Sequence, residues 1–92
     1  MLTPVQSTKF RKDVKRMQKR GKDMGKLKNL LSLLIDEQPL PSHYQAHPLK
    51  GNWLPFWDAH IEPDWLLIYM EKDGELHLAR TGSHTDIFDA GG

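Results

Sequence analysis

The 92-residue sequence contains no cysteine, so neither a disulfide nor a zinc site built on thiolates can stabilise the fold. No apolar run approaches the roughly 20 residues that a membrane-spanning helix needs. The first ten residues, MLTPVQSTKF, lack the apolar core of a signal peptide. We therefore expect one domain, residues 1–92, of a cytoplasmic protein that has no membrane partner and is held together by apolar burial.

Acidic residues are scarce in the first part of the chain. Residues 1–35 hold ten Lys or Arg against two Asp, whereas residues 36–92 hold three Lys or Arg against ten Asp or Glu. The formal charges of the two parts are +8 and −7, although the net charge is only +1. A basic half of this kind is typical of a surface that binds nucleic acid or an acidic protein, but a solvated, lysine-rich helix face explains it equally well.

The apolar spacing of the basic half predicts a pair of helices. After a short edge strand at LTPVQ, Ser7 or Thr8 is placed to cap a first helix that ends near Gly21. Asp23 is placed to cap a second helix. The residues expected to face inward recur at helical spacing, and they are Phe10, Val14 and Met17 in the first helix and Leu27, Leu30, Leu31, Leu34 and Ile35 in the second.

The second part of the chain is β in character. Residues 39–52 are expected to form an extended connection, and strands are predicted in the segments NWLPFWDAHI, DWLLIYM and ELHLART. Lys72–Gly74 is the predicted hairpin turn between the last two. SHTDIF is expected to form a short terminal turn, and the final DAGG a frayed end. The predicted fold is α+β with two layers, an N-terminal helix pair packed on a small, mainly antiparallel sheet.

Titratable side chains occur where the predicted strands begin or end. His47 precedes the sheet, His60 and Asp64 flank a hairpin, Arg80 lies near the end of the last strand, and His84 follows that strand. Imidazoles, a carboxylate and a fixed cation are the groups that general acid–base chemistry on a phosphodiester requires. Each of them also has an ordinary structural explanation. A metal site formed by His60, Asp64 and His84 lacks a compact ligand motif, so we predict no metal and no cofactor.

Four segments taken in order resemble the YafQ branch of the RelE-type bacterial toxins: KDVKRMQKRGKDMGKLKNLLSLL, HPLKGNW, DAHIEPDWLLIY, and ARTGSH followed by IF. The resemblance covers essentially the whole chain. It implies a RelE-like fold and the toxin of a type II toxin–antitoxin system, a ribosome-dependent endoribonuclease that cuts mRNA in the A site of the 70S ribosome, at adenine-rich lysine codons. It also implies a cognate, DinJ-like antitoxin, through which alone the toxin would contact operator DNA.

The resemblance also implies an active site made of His47, His60, Asp64 and His84. In the metal-independent mechanism of this family, the RNA 2′-hydroxyl attacks the adjacent phosphate while a base and an acid transfer protons. His84 is expected to be the acid, and Asp64 with His60 the base or the pair that orients it. Further residues are expected to contact RNA, with Arg80 holding the scissile phosphate, Phe88 and Trp65 lining the nucleotide pocket, and Lys12, Lys15, Lys19 and Lys50 neutralising phosphates.

One position departs from the family pattern. Where relatives usually read Arg-Asp-x-His-Ile, this chain has Trp57 as the first residue of WDAHI. An indole can stack on a base but cannot hold a phosphate as a guanidinium does. This departure keeps two other hypotheses open. One is an RNA- or ribosome-binding protein with weakened or absent cleavage, and the other is a relic that only forms the antitoxin complex and represses the operator.

Overall fold

The computed structural model describes residues 1–89, and positions 90–92 of the DAGG segment lie outside the described residues. Its five-stranded sheet has the order β1-β5-β4-β3-β2, in which β1 runs parallel to β5 and all other neighbours are antiparallel. The strands are β1 Thr3–Gln6, β2 His47–Pro48, β3 Trp57–Glu62, β4 Trp65–Lys72 and β5 Glu75–Gly82, and the helices are α1 Thr8–Lys19, α2 Met24–Ile35 and a terminal π-helical turn, Thr85–Asp89. The α+β prediction is confirmed.

Both helices begin at the caps that the sequence predicted. The Ser7 hydroxyl oxygen accepts a hydrogen bond from the Phe10 N–H at 2.9 Å, and its own O–H donates to the Ala79 carbonyl at 2.7 Å. The same side chain therefore starts α1 and ties it to β5. Asp23 caps α2 by accepting from the Gly25 N–H at 2.9 Å. After α1 the backbone adopts a left-handed conformation at Gly21, with φ of 80°.

The sheet is buried on both faces. On one face, α1 and α2 cover the larger core, to which β4 contributes Trp65, Leu67 and Tyr69. On the other face, Leu66 and Ile68 of β4 pack with Ile87 of the terminal turn and with half-buried aromatic side chains. A central strand with two covered faces needs apolar residues at every position, which explains the continuous run WLLIY. Within residues 1–89, no helix is both long enough and apolar enough to cross a membrane.

The prediction for residues 39–52 is wrong in part. This segment contains two 3₁₀ turns, Ser42–Tyr44 and Gly51–Trp53, and the edge strand β2 between them. In β2, His47 pairs with Asp58 and Pro48 with Trp57 of β3. His47 therefore lies in the sheet rather than before it. A two-residue strand has no periodicity that a sequence can display, and Pro48 is acceptable there because an edge strand needs only half of its backbone groups for pairing.

The buried carboxylate of Asp13 joins α1 to the sheet. It is 1% exposed and accepts hydrogen bonds from Arg80 Nε at 2.7 Å, Arg80 Nη2 at 3.2 Å, Arg16 Nη1 at 3.0 Å and the Thr81 N–H at 3.1 Å. The Thr81 hydroxyl in turn accepts from Trp65 Nε1 at 2.9 Å and donates to the Leu66 carbonyl at 2.7 Å. One polar network thus connects α1, β5 and β4 through the interior.

We expect Asp13→Ala to lower the free energy of unfolding by about 3 kcal/mol, because it leaves the largely buried Arg80 cation without a carboxylate and the Thr81 N–H without a partner. Urea unfolding followed by tryptophan fluorescence measures the change. The control is Asp36→Ala, which removes an exposed carboxylate just after α2 and should change the value by less than about 0.5 kcal/mol. Equal losses in the two variants would contradict the role given to Asp13.

Candidate active site

Three imidazoles lie side by side on the face of the sheet opposite α1 and α2. His60 of β3 is paired with Leu66, and its ring projects on the same face as that residue of the smaller core. Its ring centroid lies 6.2 Å from that of His47 and 5.9 Å from that of His84. We call His47, His60 and His84 the histidine row. Strand pairing aligns its first two members, and the loop after β5 supplies the third.

Aromatic side chains extend the row beyond His84. The centroid of Phe88 lies 6.3 Å from that of His84, and Trp53 meets Phe88 edge to face at 5.4 Å. Phe88 belongs to the terminal turn and is half-buried against the smaller core, so its ring has a fixed position and an accessible side. The two rings form an apolar wall at one end of the histidine row.

Asp64 holds His84 and does not pair with His60 as expected. Its Oδ1 lies 2.6 Å from His84 Nδ1 and accepts the His84 backbone N–H at 2.9 Å. These two hydrogen bonds lower the pKa of Asp64, so the carboxylate is ionised near neutrality and only accepts. His84 Nδ1 must therefore carry the proton of this hydrogen bond, and Nε2 takes no part in the contact with Asp64.

His47 is oriented in a comparable way. Its Nδ1 lies 2.8 Å from the Gln45 carbonyl oxygen and 3.1 Å from Asp58 Oδ1. A carbonyl only accepts, so Nδ1 carries the proton and donates it to Gln45. Asp58 Oδ1 lies close to the same nitrogen but has no hydrogen bond in the described part of the chain. As in His84, the contacts of His47 use Nδ1, and Nε2 takes no part in them.

Asp58 lies beneath the row, and the sequence-based prediction missed it. It is 4% exposed, and burial raises its pKa although the neighbouring imidazoles act in the opposite direction. Asp58 and His60 are two residues apart in β3, so they project on the same face. An acidic residue inside an otherwise apolar strand, two positions before a histidine, was the signal that could have identified it. Trp53 was missed because an aromatic side chain in a predicted strand indicates packing by default.

The guanidinium of Arg80 is held by the Asp13 carboxylate. The two hydrogen bonds to that carboxylate raise the pKa of Arg80 further, so the guanidinium is permanently charged. Its Nη2 also lies 3.4 Å from the carbonyl oxygen of Asp86 in the terminal turn. The Arg80 guanidinium therefore lies next to the turn that follows His84. Its Nε and Nη2 atoms are already hydrogen-bonded to Asp13.

The prediction that Trp65 contacts RNA is wrong, because this side chain is buried in the folded chain. Trp65 is 0% exposed in the larger core, and its Nε1 donates to Thr81. A ring with no accessible surface cannot stack on a nucleotide, and the strand position alone did not reveal which face of the sheet it occupies. The four lysines expected to contact phosphates, Lys12, Lys15, Lys19 and Lys50, are all exposed.

Trp57, the position that departs from the family pattern, projects on the opposite face from the histidine row. It is 41% exposed and lines a groove of about 430 Å³ together with Leu34, Pro55 and Tyr69. Neighbouring residues of a strand point to opposite faces, so Trp57 and His60, three positions apart, do not share a face. The departure therefore removes no group from the row.

A metal-ligand cluster is not evident in the described part of the chain. Among residues 1–89, no group of three or more His, Asp or Glu side chains is arranged to hold a metal ion. The prediction of a mechanism without metal or cofactor stays a prediction.

The fold and the position of the row define a RelE-like toxin. The structure matches the E. coli DinJ–YafQ complex with a TM-score of 0.89 and 49% identity, covering 96% of this chain and 99% of that one. It matches a metal-bound toxin from Helicobacter pylori with a TM-score of 0.90 and 43% identity, covering 96% of this chain and 100% of that one.

The family follows from the sequence comparison. A model of the family described as the bacterial toxin of type II toxin–antitoxin systems, YafQ, matches residues 2–89, and the chain belongs to this family. The mRNA interferase toxin YafQ of E. coli strain K12 is 53% identical over 83 residues, which are 89% of this chain and 90% of that protein. The resemblance inferred from the motifs is confirmed.

We expect Asp58→Asn to stabilise the fold by about 1 kcal/mol at pH 7, because an amide avoids ionising a buried carboxyl group whose Oδ1 accepts no hydrogen bond from the described residues. With its raised pKa, Asp58 contributes stability that is complete below its ordinary pKa of 3.8 and is lost as the pH rises through its folded value. Urea unfolding at several pH values should therefore show an advantage of the variant that grows from pH 4 to pH 7.

Asp64→Asn is the matched control because the pKa of Asp64 is lowered rather than raised. Its contribution to stability is present above the ordinary pKa and is lost as the pH falls through the folded value. This variant should be less stable than the natural chain at pH 7, with a deficit that shrinks in acid. The same pH dependence in both variants would show that burial does not govern Asp58.

Proposed function

We propose that this chain is an mRNA endoribonuclease that acts on the translating ribosome and cleaves by attack of the RNA 2′-hydroxyl on the adjacent phosphorus. The histidine row is the observation that supports this most directly. Neighbouring imidazoles about 6 Å apart can serve the attacking and the leaving oxygen of one phosphodiester. The E. coli relative at 53% identity is an mRNA interferase, which supports the same class of substrate.

His84 is the general acid in this proposal. Asp64 fixes its ring through Nδ1, so that the protonated ring presents Nε2–H to the 5′-oxygen. As the P–O5′ bond breaks, this proton passes to the leaving oxygen, and the released upstream fragment ends in a 2′,3′-cyclic phosphate. The ionised Asp64 stabilises the imidazolium before the transfer, which is the task of a carboxylate behind a catalytic histidine.

His60 is the general base in this proposal. It occupies the middle of the row, next to the acid, and no hydrogen bond ties its ring to the other described residues. It takes the proton of the 2′-hydroxyl as the oxygen attacks. The buried Asp58 lies on the same strand face and favours the positive charge that the ring then acquires. His47 has its Nδ1–H on the Gln45 carbonyl oxygen, so in its protonated form it can donate from Nε2 to a phosphate oxygen.

The remaining predicted residues bind substrate in this proposal. Phe88, backed by Trp53, offers an aromatic wall on which a base next to the cleaved bond can stack. Arg80 supplies a fixed positive charge beside the terminal turn, where it stabilises charge on the phosphorane without leaving Asp13. Lys50 and the α1 residues Lys12, Lys15 and Lys19 neutralise phosphates of messenger or ribosomal RNA, which makes binding sensitive to salt.

The partners proposed for this chain follow from its relatives. The E. coli toxin that shares its fold was crystallised with the antitoxin DinJ, and we infer that a DinJ-like antitoxin inhibits this chain in the cytoplasm. The basic residues 1–35 suit an acidic or amphipathic segment of that antitoxin. Contact with operator DNA is through the antitoxin.

We expect His84→Ala to abolish cleavage, because no other side chain can protonate the leaving oxygen from the same position. The assay uses 70S ribosomes that carry an mRNA with a lysine codon in the A site, and it maps cut ends and their 2′,3′-cyclic phosphates. Ribosome binding, measured by co-sedimentation, should persist because the phosphate-binding lysines remain.

His77→Ala is the control for His84→Ala. It removes an imidazole from β5 that contacts Glu75 and does not belong to the row, and it should leave cleavage intact. If the natural chain leaves translated mRNA whole while binding ribosomes, the nuclease proposal fails and the chain is a binding variant. Cleavage that persists in His84→Ala would remove His84 from the mechanism.

We expect Trp57→Arg to leave the cleavage rate unchanged within about twofold, since a group outside the site adds nothing to transition-state binding. The measurement is the single-turnover rate on the same ribosomes. Its counterpart is Phe88→Ala, which removes a wall of the proposed site and should slow cleavage clearly. A large gain of activity in Trp57→Arg would instead favour the hypothesis of a weakened variant.

A further inference from the structure

A bidentate ion pair connects the end of α1 to the turn that follows β5. Arg20, the residue that ends α1, donates from Nη2 to Asp86 Oδ1 at 2.8 Å and from Nη1 to Asp86 Oδ2. The residues are 66 positions apart in the sequence. The Asp86 side chain is 13% exposed and that of Arg20 is 42% exposed, so the carboxylate lies inside and the guanidinium covers it.

Asp86 is built into the backbone around His84. Its Oδ2 accepts the Ser83 N–H at 2.9 Å, and its own N–H donates to the Ser83 hydroxyl oxygen at 3.1 Å. This is the reciprocal arrangement of a capping box, and His84 lies inside it. The carboxylate also packs against Gly82 so closely that a Cβ at that position would meet Asp86 Oδ2 at 2.9 Å. Moving Asp86 would therefore move the backbone of His84.

His84 needs such support because its contact with Asp64 is exposed. The two side chains are 52% and 66% exposed, and an ion pair in that environment contributes little to holding its members in place. The pair positions one ring only if both backbones are already fixed. Asp86 fixes the backbone on the His84 side, and Arg20 fixes Asp86 to a helix that Asp13 anchors in the interior.

We propose that Arg20 and Asp86 are a positioning pair for His84, which sets the general acid against the substrate without touching it. This proposal rests on the function proposed above for His84. The hydrogen bonds from Arg20 hold the pKa of Asp86 well below its usual range, so the carboxylate stays ionised and the ion pair is intact near neutral pH. Catalytic geometry is sensitive to displacements of about 1 Å, so a loosened turn reduces the rate far more than it reduces stability.

The two residues allow a test that separates positioning from charge. Arg20→Ala removes a positive charge from an RNA-binding protein, and Asp86→Ala removes a negative one. If charge alone mattered, the two substitutions would change ribosome affinity in opposite directions. If the pair positions His84, both lower the single-turnover rate at saturating ribosomes by roughly tenfold, and the double variant is no slower than either single variant.

A second measurement on the isolated toxin does not depend on cleavage. The NMR order parameter of the His84 amide should fall from about 0.85 toward 0.6 in both single variants. Arg20→Lys keeps a charge-assisted hydrogen bond but not the fork, and it should restore part of the rate and of the order parameter. Lys28→Ala removes an exposed charge from α2 and should leave both unchanged.

The outcomes distinguish the two proposals. Opposite effects on affinity, with an unchanged saturated rate and an unchanged His84 order parameter, would overturn the positioning pair and leave the nuclease proposal intact. If the natural chain cleaves no mRNA, the proposed function fails, and the order parameter alone decides whether Arg20 and Asp86 hold His84. An order parameter that stays near 0.85 in both variants then overturns the positioning pair as well.

Discussion

The carboxylate of Asp13 is the constraint on which the rest of the molecule depends. It lies in the interior at the middle of α1, where an isolated charge would cost several kcal/mol, and four donors from α1 and β5 offset that cost. Because a buried carboxylate cannot lose its donors, the register of α1 on the sheet is determined by where Arg80 and Thr81 lie. The positions of α1, β5 and the Arg80 guanidinium relative to one another are therefore fixed.

The positions of the side chains in the histidine row and of Phe88 are determined in two different ways. His47 and His60 belong to paired strands, so the ladder between β2 and β3 and the pleat determine where their rings project. His84 and Phe88 belong to a loop and a turn, where no ladder acts, and side-chain contacts from Asp64 and Arg20 replace it. The positions of His47 and His60 are therefore fixed by strand pairing, whereas those of His84 and Phe88 depend on a few charged hydrogen bonds.

Much of the fold could be predicted because local signals agree with it. The caps at Ser7 and Asp23, the helical apolar spacing and the Asp-Gly turn between β4 and β5 act over a few residues, and a single sequence displays them. Strand β2 could not be predicted because its two residues carry no period. The partner of Asp64 could not be predicted either, since it depends on how a turn and a loop meet 20 positions apart.

The parallel pairing of β1 with β5 has a consequence for when the protein becomes active. The first strand, β1, and the last strand of the described residues, β5, lie side by side, and the side chains of Ser7 and Asp13 both form hydrogen bonds to residues near position 80. Contacts so distant in sequence form late, after most of the chain is available. During synthesis the N-terminal helices leave the ribosome long before their partner strand does. The sheet and the histidine row are therefore completed only after β5 and the turn that follows it have been synthesised.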